Sequence, residues 1–337
     1  MNFGDLQSCC AADFSAFPQN FHGVAVACSG GVDSTVLFRV ICEFAKEKNI
    51  FHITLLHVNF GLRGNSSDED ERFCEAMAKA AGVAFHCLRI SPQTLENRSG
   101  EGVQEWARRL RYEEFAKFIE KGWIVATAHH LDDVAENVLL RAARGSSPGT
   151  VAGMRRLQNG IWRPFLEVPK ARLQQFAAAK HLHHRHDASN DKLEYSRNVI
   201  RLKVIPELDS ISPGCAQRIA KLGLECQELT DAVRREALEV LPVEDLSEND
   251  LRRFRTWVLS ARTLSPQALR EWVAGFVREV AGHRQIGLSR DFFEELLIVL
   301  KEPPKVKSWA RTIPGGVRVR VSHGFLYIET APAAQRH

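Results

Sequence analysis

The run Val24-Ala25-Val26-Ala27-Cys28-Ser29-Gly30-Gly31-Val32-Asp33-Ser34 decides the fold of this chain. A short apolar segment of strand type passes through two glycines into a turn rich in hydroxyls and carboxylate. Thr35-Val36-Leu37-Phe38 then opens a helical pattern. A strand, a glycine turn and a helix N-terminus together make an anion site, because free backbone amides and the positive end of the helix dipole converge on the loop. Ser29 and Ser34 add hydroxyl donors, and Gly30 and Gly31 let the backbone approach a ligand closely. Ser29, Gly30, Gly31, Val32, Asp33 and Ser34 are therefore the expected nucleotide-phosphate contacts.

The loop lacks the Lys-Ser/Thr pair of a Walker A motif, and it is not a G-x-G-x-x-G fingerprint. Without that lysine, the pattern suits a pyrophosphate leaving with Mg²⁺ better than transfer of a terminal phosphoryl group. Asp33 is the expected Mg²⁺ ligand, directly or through water, since Mg²⁺ favours one or two carboxylates plus phosphate oxygens.

Outward from the loop, strand-like and helix-like segments alternate. Residues 52–58, 83–90 and 123–128 read as strands, and 67–81, 103–120 and 132–144 as helices. That alternation predicts a Rossmann-like parallel sheet with helices on both faces and ligands beyond the strand carboxyl ends. Residues 145–149 read as a loop, Pro169 as a helix start, 187–191 as a polar turn, and 193–205 as a helix stopped by Pro206. A boundary is expected near 210–213, giving domains 1–210 and 211–337. The second reads as mostly helical (215–240, 248–260, 266–280, 289–300) and ends in short strands at 306–313, 316–321 and 325–329.

At 337 residues and 45% apolar content the chain has material for two packed cores, and no run approaches a membrane span. The early segment carries acidic Asp5 and Asp13 without a basic flank, unlike a secretory signal. Eight scattered cysteines without C-x-x-C point to reduced thiols and a cytoplasmic location, and away from thiolate-bound zinc or iron–sulfur. The net charge of +4 conceals an asymmetry: residues 1–140 hold 13 basic and 19 acidic side chains, 141–206 hold 13 and 4, and 252–320 hold 14 and 6. An acidic first stretch beside two basic ones predicts a small-molecule site next to a polyanion-binding surface.

Four further constellations carry chemistry. His57-Val58-Asn59-Phe60-Gly61-Leu62-Arg63 ends a strand. Glu105-Trp106-Ala107-Arg108-Arg109-Leu110-Arg111-Tyr112 is helical and puts Arg108, Arg111 and Tyr112 on one face. Thr127-Ala128-His129-His130-Leu131-Asp132-Asp133-Val134-Ala135-Glu136 passes from strand to helix and pairs Asp133 with Glu136, three apart. The last is Ser189-Asn190-Asp191-Lys192-Leu193-Glu194-Tyr195-Ser196-Arg197-Asn198-Val199-Ile200-Arg201.

Through these motifs, over residues 24–206, the chain resembles the tRNA(Ile)-lysidine synthetases of the PP-loop (N-type) ATP pyrophosphatases. The resemblance implies the adenine nucleotide alpha hydrolase-like fold and a C-terminal tRNA-binding region. It also implies a two-step ligation. ATP adenylates the C2 oxygen of the wobble cytidine of CAU-anticodon tRNA(Ile), releasing pyrophosphate, and the ε-amine of free L-lysine then displaces AMP to give lysidine. In that frame Asp33, Asp133 and Glu136 are the catalytic candidates, with Asp133 and Glu136 holding the lysine ammonium. Arg108, Arg111 and Arg201 are candidates for phosphate or cytosine contacts, and His57 and His129 are further candidates. Phe60 stands where the family usually has a histidine, and stacking and packing roles are both open to it. The cluster His181, His183, His184 and His186 lacks zinc-ligand spacing and reads as an RNA-facing or solvated loop.

Three rival readings fit the sequence less well. A thiolation enzyme of the same superfamily would need paired cysteines. A glutamine-dependent amide synthetase would need a glutaminase domain, for which about twenty residues before the first strand leave no room. A non-catalytic RNA- or nucleotide-binding protein would not need the intact loop and its carboxylates. The sequence leaves monomer and homodimer both open.

Overall fold

The computed structural model describes residues 4–49, 52–91, 102–146, 148–185, 196–241, 243–247, 252–261, 263–281, 288–301 and 308–331. The chain divides into two compact units, Met1–Gly223 and Leu224–His337.

The first unit is built on strands β1 (Gly23–Ala27), β2 (Ile53–Asn59), β3 (Ala84–Arg89), β4 (Trp123–Ala126), β5 (Leu157–Gln158) and β6 (Ile161–Trp162), in the order β3-β2-β1-β4-β6-β5. All neighbours run parallel except the β5–β6 hairpin. Alternate residues of β1 point to opposite faces, as the two-residue period of a strand requires. Val24 and Val26 join one core with Leu37, Ile41, Phe44 and Trp162, while Ala25 packs with Leu56, Phe115 and Val125 on the other side. Burial on both faces is what a parallel sheet demands, and it explains the unbroken apolar run before the glycines.

The helices of this unit are α1 (Gly4–Phe14), α2 (Val32–Lys48), α3 (Asn65–Ala81), α4 (Val103–Glu120), α5 (Leu131–Ala143) and α6 (Lys170–Ala179). Asp13 on α1 accepts from Trp162 Nε1 at 2.8 Å and from Arg156, fastening α1 to the end of β6. Pro169 is the N-cap of α6, and Asp132 accepts from the Lys170 amide at 2.8 Å. Residues 148–151 form one helical turn rather than part of a loop.

Pro206 does not stop the helix before it. The described part of this run, α7, comprises Ser196–Val199, a π-helical stretch Ile200–Val204, and Ile205–Ile211. The bond from the Ile205 amide reaches back five residues to the Ile200 carbonyl, which widens the turn just where proline lacks a donor. Proline then falls in the first turn of the following segment, where a missing N–H costs least. The expected turn at 187–191 and the start of that helix lie outside the described residues.

Helix α8 (Cys215–Val240) carries the division between the two units. Its Gly223 faces α5, and a Cβ there would come within 2.4 Å of Val138 Cγ2.

The second unit holds α9 (Pro266–Ala281), α10 (Arg290–Lys301) and a five-stranded antiparallel sheet, ordered β7-β8-β11-β10-β9. Its strands are β7 (Glu244–Asp245), β8 (Arg253–Trp257), β9 (Ser308–Ile313), β10 (Val317–Ser322) and β11 (Phe325–Thr330). The last three match the expected strands. The helix expected over 248–260 is instead strand β8 followed by a short helical turn, Val258–Ala261. Phe254 and Thr256 are buried while Arg253 and Trp257 are exposed, a two-residue alternation that the arginine-rich composition masks. No helix among the described residues is long and apolar enough to cross a membrane.

Candidate active site

Parallel strands deliver their loops to one edge, and the sequence candidates gather there. After β1 the glycine loop is tied up by Ser34. Its hydroxyl accepts from the Ser29 amide at 3.2 Å, donates to the Gly31 carbonyl at 3.0 Å and lies 3.3 Å from the Ser29 hydroxyl. Gly30 has a φ of +86°, a backbone state open to glycine, and its carbonyl accepts from the Arg185 amide at 2.8 Å. Gly31 is the N-cap of α2, yet no side chain caps that terminus. The first-turn amides of Val32, Asp33 and Ser34 therefore have no intrahelical acceptor and face the loop as donors.

His57 is buried on β2, and its Nδ1 donates to the Cys28 carbonyl at 2.8 Å. Burial pushes this imidazole below its ordinary pKa, so it acts as a neutral prop for the loop. Asn59, at the end of the same strand, donates to Asp68 and Glu71 and accepts from the Gly61 amide, which fixes the turn carrying Phe60. Phe60 packs with its ring 6.0 Å from that of Trp106 and 5.8 Å from the Arg111 guanidinium, so packing accounts for its contacts.

Asp33 connects the loop to the second half of the site. Its Oδ2 lies 3.6 Å from His130 Nε2 and 3.9 Å from Lys170 Nζ. Its Oδ1 is buried and has no partner among the described residues. His130 sits among Asp33, Asp132 and Asp133 at 3.5–3.6 Å. Burial opposes its charge, but these carboxylates outweigh burial and raise its pKa above the ordinary value. Its neighbour His129 faces Arg163, Arg197 and Arg108 as well as Asp133, and burial drives it down to about 3. Thr127 Oγ1 lies 2.9 Å from His129 Nδ1, and the lowered pKa keeps this second imidazole neutral.

Asp133 and Glu136 lie on one face of α5, and the structure engages both with arginines. Arg197 donates to Glu136 Oε2 at 2.6 Å and to Asp133 Oδ1 at 2.8 Å. Arg201 donates to both Glu136 oxygens, at 3.0 Å from Nη2, and lies 3.5 Å from Asp133 Oδ1. Glu136 is only 2% exposed. Burial would raise the Asp133 pKa, but His130, Arg197 and the His130 amide hold it well below the usual carboxylate range. Arg201 thus rests on the acidic pair, while Arg108 and Arg111 stand exposed on α4.

Sequence reasoning missed His130, Lys170 and Arg197, although His130 and Arg197 lie inside quoted motifs. Their signal was position: one follows His129, the other precedes Arg201 by a helical turn. His181, His183 and His184 line a cleft of about 490 Å³ beside Val32, and His186 lies outside the described residues. Among the described residues no group of three or more His, Cys, Asp or Glu is arranged to hold a metal.

Residues 7–208 match the PP-loop domain family ATP_bind_3. A tRNA(Ile)-lysidine synthase of Persephonella marina is 28% identical over 91% of this chain and 72% of its own length. One from Chlorobaculum tepidum is 33% identical over 69% and 72%, and one from Legionella pneumophila strain Paris is 34% identical over 67% and 51%. The chain thus spans between about half and three quarters of the length of these relatives. In fold, a U34-tRNA thiolase from Methanococcus maripaludis superposes with a TM-score of 0.54, at 17% identity over 67% of this chain and 78% of that one. Residues 7–208, which hold the glycine loop and the acidic pair, match a PP-loop domain, and the chain belongs to the tRNA(Ile)-lysidine synthase family.

Proposed function

We propose that this protein ligates lysine to the wobble cytidine of a CAU-anticodon tRNA(Ile), consuming ATP and releasing AMP and pyrophosphate. The observation that carries the reading is the uncapped first turn of α2, which presents the amides of Val32, Asp33 and Ser34 beside the Ser29 and Ser34 hydroxyls. These donors suit the two outer phosphates of ATP, whose departure as a unit needs charge neutralisation. The buried, partnerless Asp33 Oδ1 fits a Mg²⁺ ion that would also take phosphate oxygens. Bound there, the ion would neutralise charge on the leaving pyrophosphate.

Lys170 and the raised-pKa His130 flank Asp33 and add positive charge at the same place. Asp133 and Glu136 are the carboxylates suited to orient the lysine ammonium and take its proton before attack. Both already receive Arg197 and Arg201. Lysine therefore enters by displacing guanidinium contacts of Arg197 or Arg201. The neutral His129 beside Asp133 accepts a proton only at a low pH, which leaves the acidic pair as the base.

The test is direct. Protein, ATP, labelled lysine and an unmodified CAU-anticodon transcript are incubated, and label in RNA is measured together with AMP. Incorporation with AMP formation is expected. ADP formation, or no label in RNA, would overturn the reading.

A further inference from the structure

Arg163 is a charge without an answer. It follows β6 directly and is 5% exposed. Its Nη1 donates to the Arg155 carbonyl at 2.8 Å, and the side chain bonds the Tyr112 hydroxyl. Its Nε is buried and has no partner, and no carboxylate among the described residues pairs with the guanidinium. Burying such an ion is costly even after relaxation, and a carbonyl plus a phenol return only part of that cost. Burial accordingly presses the Arg163 pKa below the usual guanidinium range.

Arg108 shares the same tyrosine, and Arg141 lies near Arg108 in turn. The Arg108 guanidinium lies 4.6 Å from the Tyr112 ring centre and donates to its hydroxyl at 3.3 Å. Arg141 crosses the backbone at Gly153, where a Cβ would come within 2.5 Å of its Nε, and it feels the repulsion of Arg108. Arg163 and Arg108 on one phenol, with Arg141 near Arg108 and a buried unpaired donor on Arg163, make a receptor for an anion.

The sheet order says which anion. β6 runs parallel to β4, so Arg163 emerges at the same edge as the glycine loop but beyond His129. Two strand spacings of about 4.8 Å separate β6 from β1, placing Arg163 on the order of 10 Å from the loop across the sheet. Phosphates seated on the α2 N-terminus do not reach that far sideways, whereas a second phosphate on the polymer substrate does. We propose that Arg163, Tyr112, Arg108 and Arg141 form a receptor for one backbone phosphodiester of the RNA substrate, close to the nucleotide that is modified. This rests on the proposed RNA substrate.

The test compares wild type with Arg163→Met, Arg163→Lys and the double variant Arg108→Gln/Arg141→Gln, whose more exposed positions spare the fold. Binding of a CAU anticodon stem-loop RNA is measured across salt concentrations, and ATP binding is measured without RNA. The expected result is RNA affinity reduced about tenfold, a salt dependence shallower by about one unit of slope, and unchanged ATP affinity. Arg163→Lys keeps the charge without the fork and falls between wild type and Arg163→Met. Unchanged RNA affinity and salt slope in the double variant would overturn the proposal. Loss of ATP affinity instead of RNA affinity would also overturn it, by assigning the cluster to the nucleotide. A wild-type protein that binds the stem-loop with these properties but incorporates no lysine would break the reaction assignment and leave the receptor standing.

Discussion

The glycine loop and the acidic pair on α5 lie along one sheet edge, yet they are built on opposite plans. The loop is organised by neutral groups: Ser34 ties Ser29 and Gly31, His57 props Cys28, and the α2 amides are left as free donors. The acidic pair is organised by charge, with Glu136 and Asp133 saturated by Arg197, Arg201 and His130. One region is a rigid cradle waiting for an anion. The other is an ion-pair lattice that must exchange partners before it can take up the ammonium proposed for it.

The sharpest way to break this contrast is Glu136→Gln, which leaves two guanidiniums facing a neutral amide. A loss of about 3–5 kcal/mol in unfolding free energy is expected, the scale for removing one partner of a buried pair. The lysine-transfer step should fall more than adenylation. A urea-unfolding change below 1 kcal/mol would show that the lattice is weakly coupled to the fold. Next is Asp33→Asn, expected to lower pyrophosphate release about 10²–10³-fold, the scale of one group acting on developing charge. Its stability should change less, because its Oδ1 has no partner among the described residues and its Oδ2 pairs with His130 and Lys170 only at 3.6 and 3.9 Å. Near-normal turnover would remove Asp33 from the chemistry.

A smaller effect separates the two adjacent histidines by pH. His130 has a raised folded pKa, so its stabilisation is full below about pH 6.5 and is lost as pH climbs through the folded value. His129 has a depressed folded pKa of about 3, so its buried neutral form contributes above about pH 6.5 and is lost as the pH falls below it. Asp133 contributes above about pH 3.9 and loses its share only at lower pH. On acidification from pH 7 to 5, His129→Gln should therefore gain stability relative to wild type and His130→Gln should lose it. The limit is about 1.4 kcal/mol per pH unit. Parallel pH profiles for the two variants would contradict the opposite environments. The smallest effect is expected from Phe60→Leu, about 1 kcal/mol of lost aromatic packing with ATP affinity unchanged. A large rise in the KM for ATP would restore a stacking role.

The same contrast explains what could be read in the chain. The loop was legible because strand, glycines, hydroxyls and helix are contiguous, and the parallel sheet followed from alternating elements. Asp133 and Glu136 were legible as a pair, but their arginine partners come from a helix more than sixty residues on, and no local pattern couples them. The strand Arg253–Trp257 was misread as helix because arginines on its outer face hide the alternation of Phe254 and Thr256. Pro206 misled because a widened turn absorbs its missing donor. Strands β5 and β6, two residues each, carry too little periodicity to announce themselves.

Gly223 seats the helix that bears the acidic pair through an atom it lacks. Replacing it with alanine would raise intrinsic helicity by about 1 kcal/mol, yet the new methyl would strike Val138, two residues past Glu136. Overpacking of this kind typically costs about 1–3 kcal/mol, more than the backbone gains. Surveyed by its contacts alone, such a variant would look innocuous, and its defect would surface as misaligned carboxylates in an enzyme whose ligand-facing side chains are all intact.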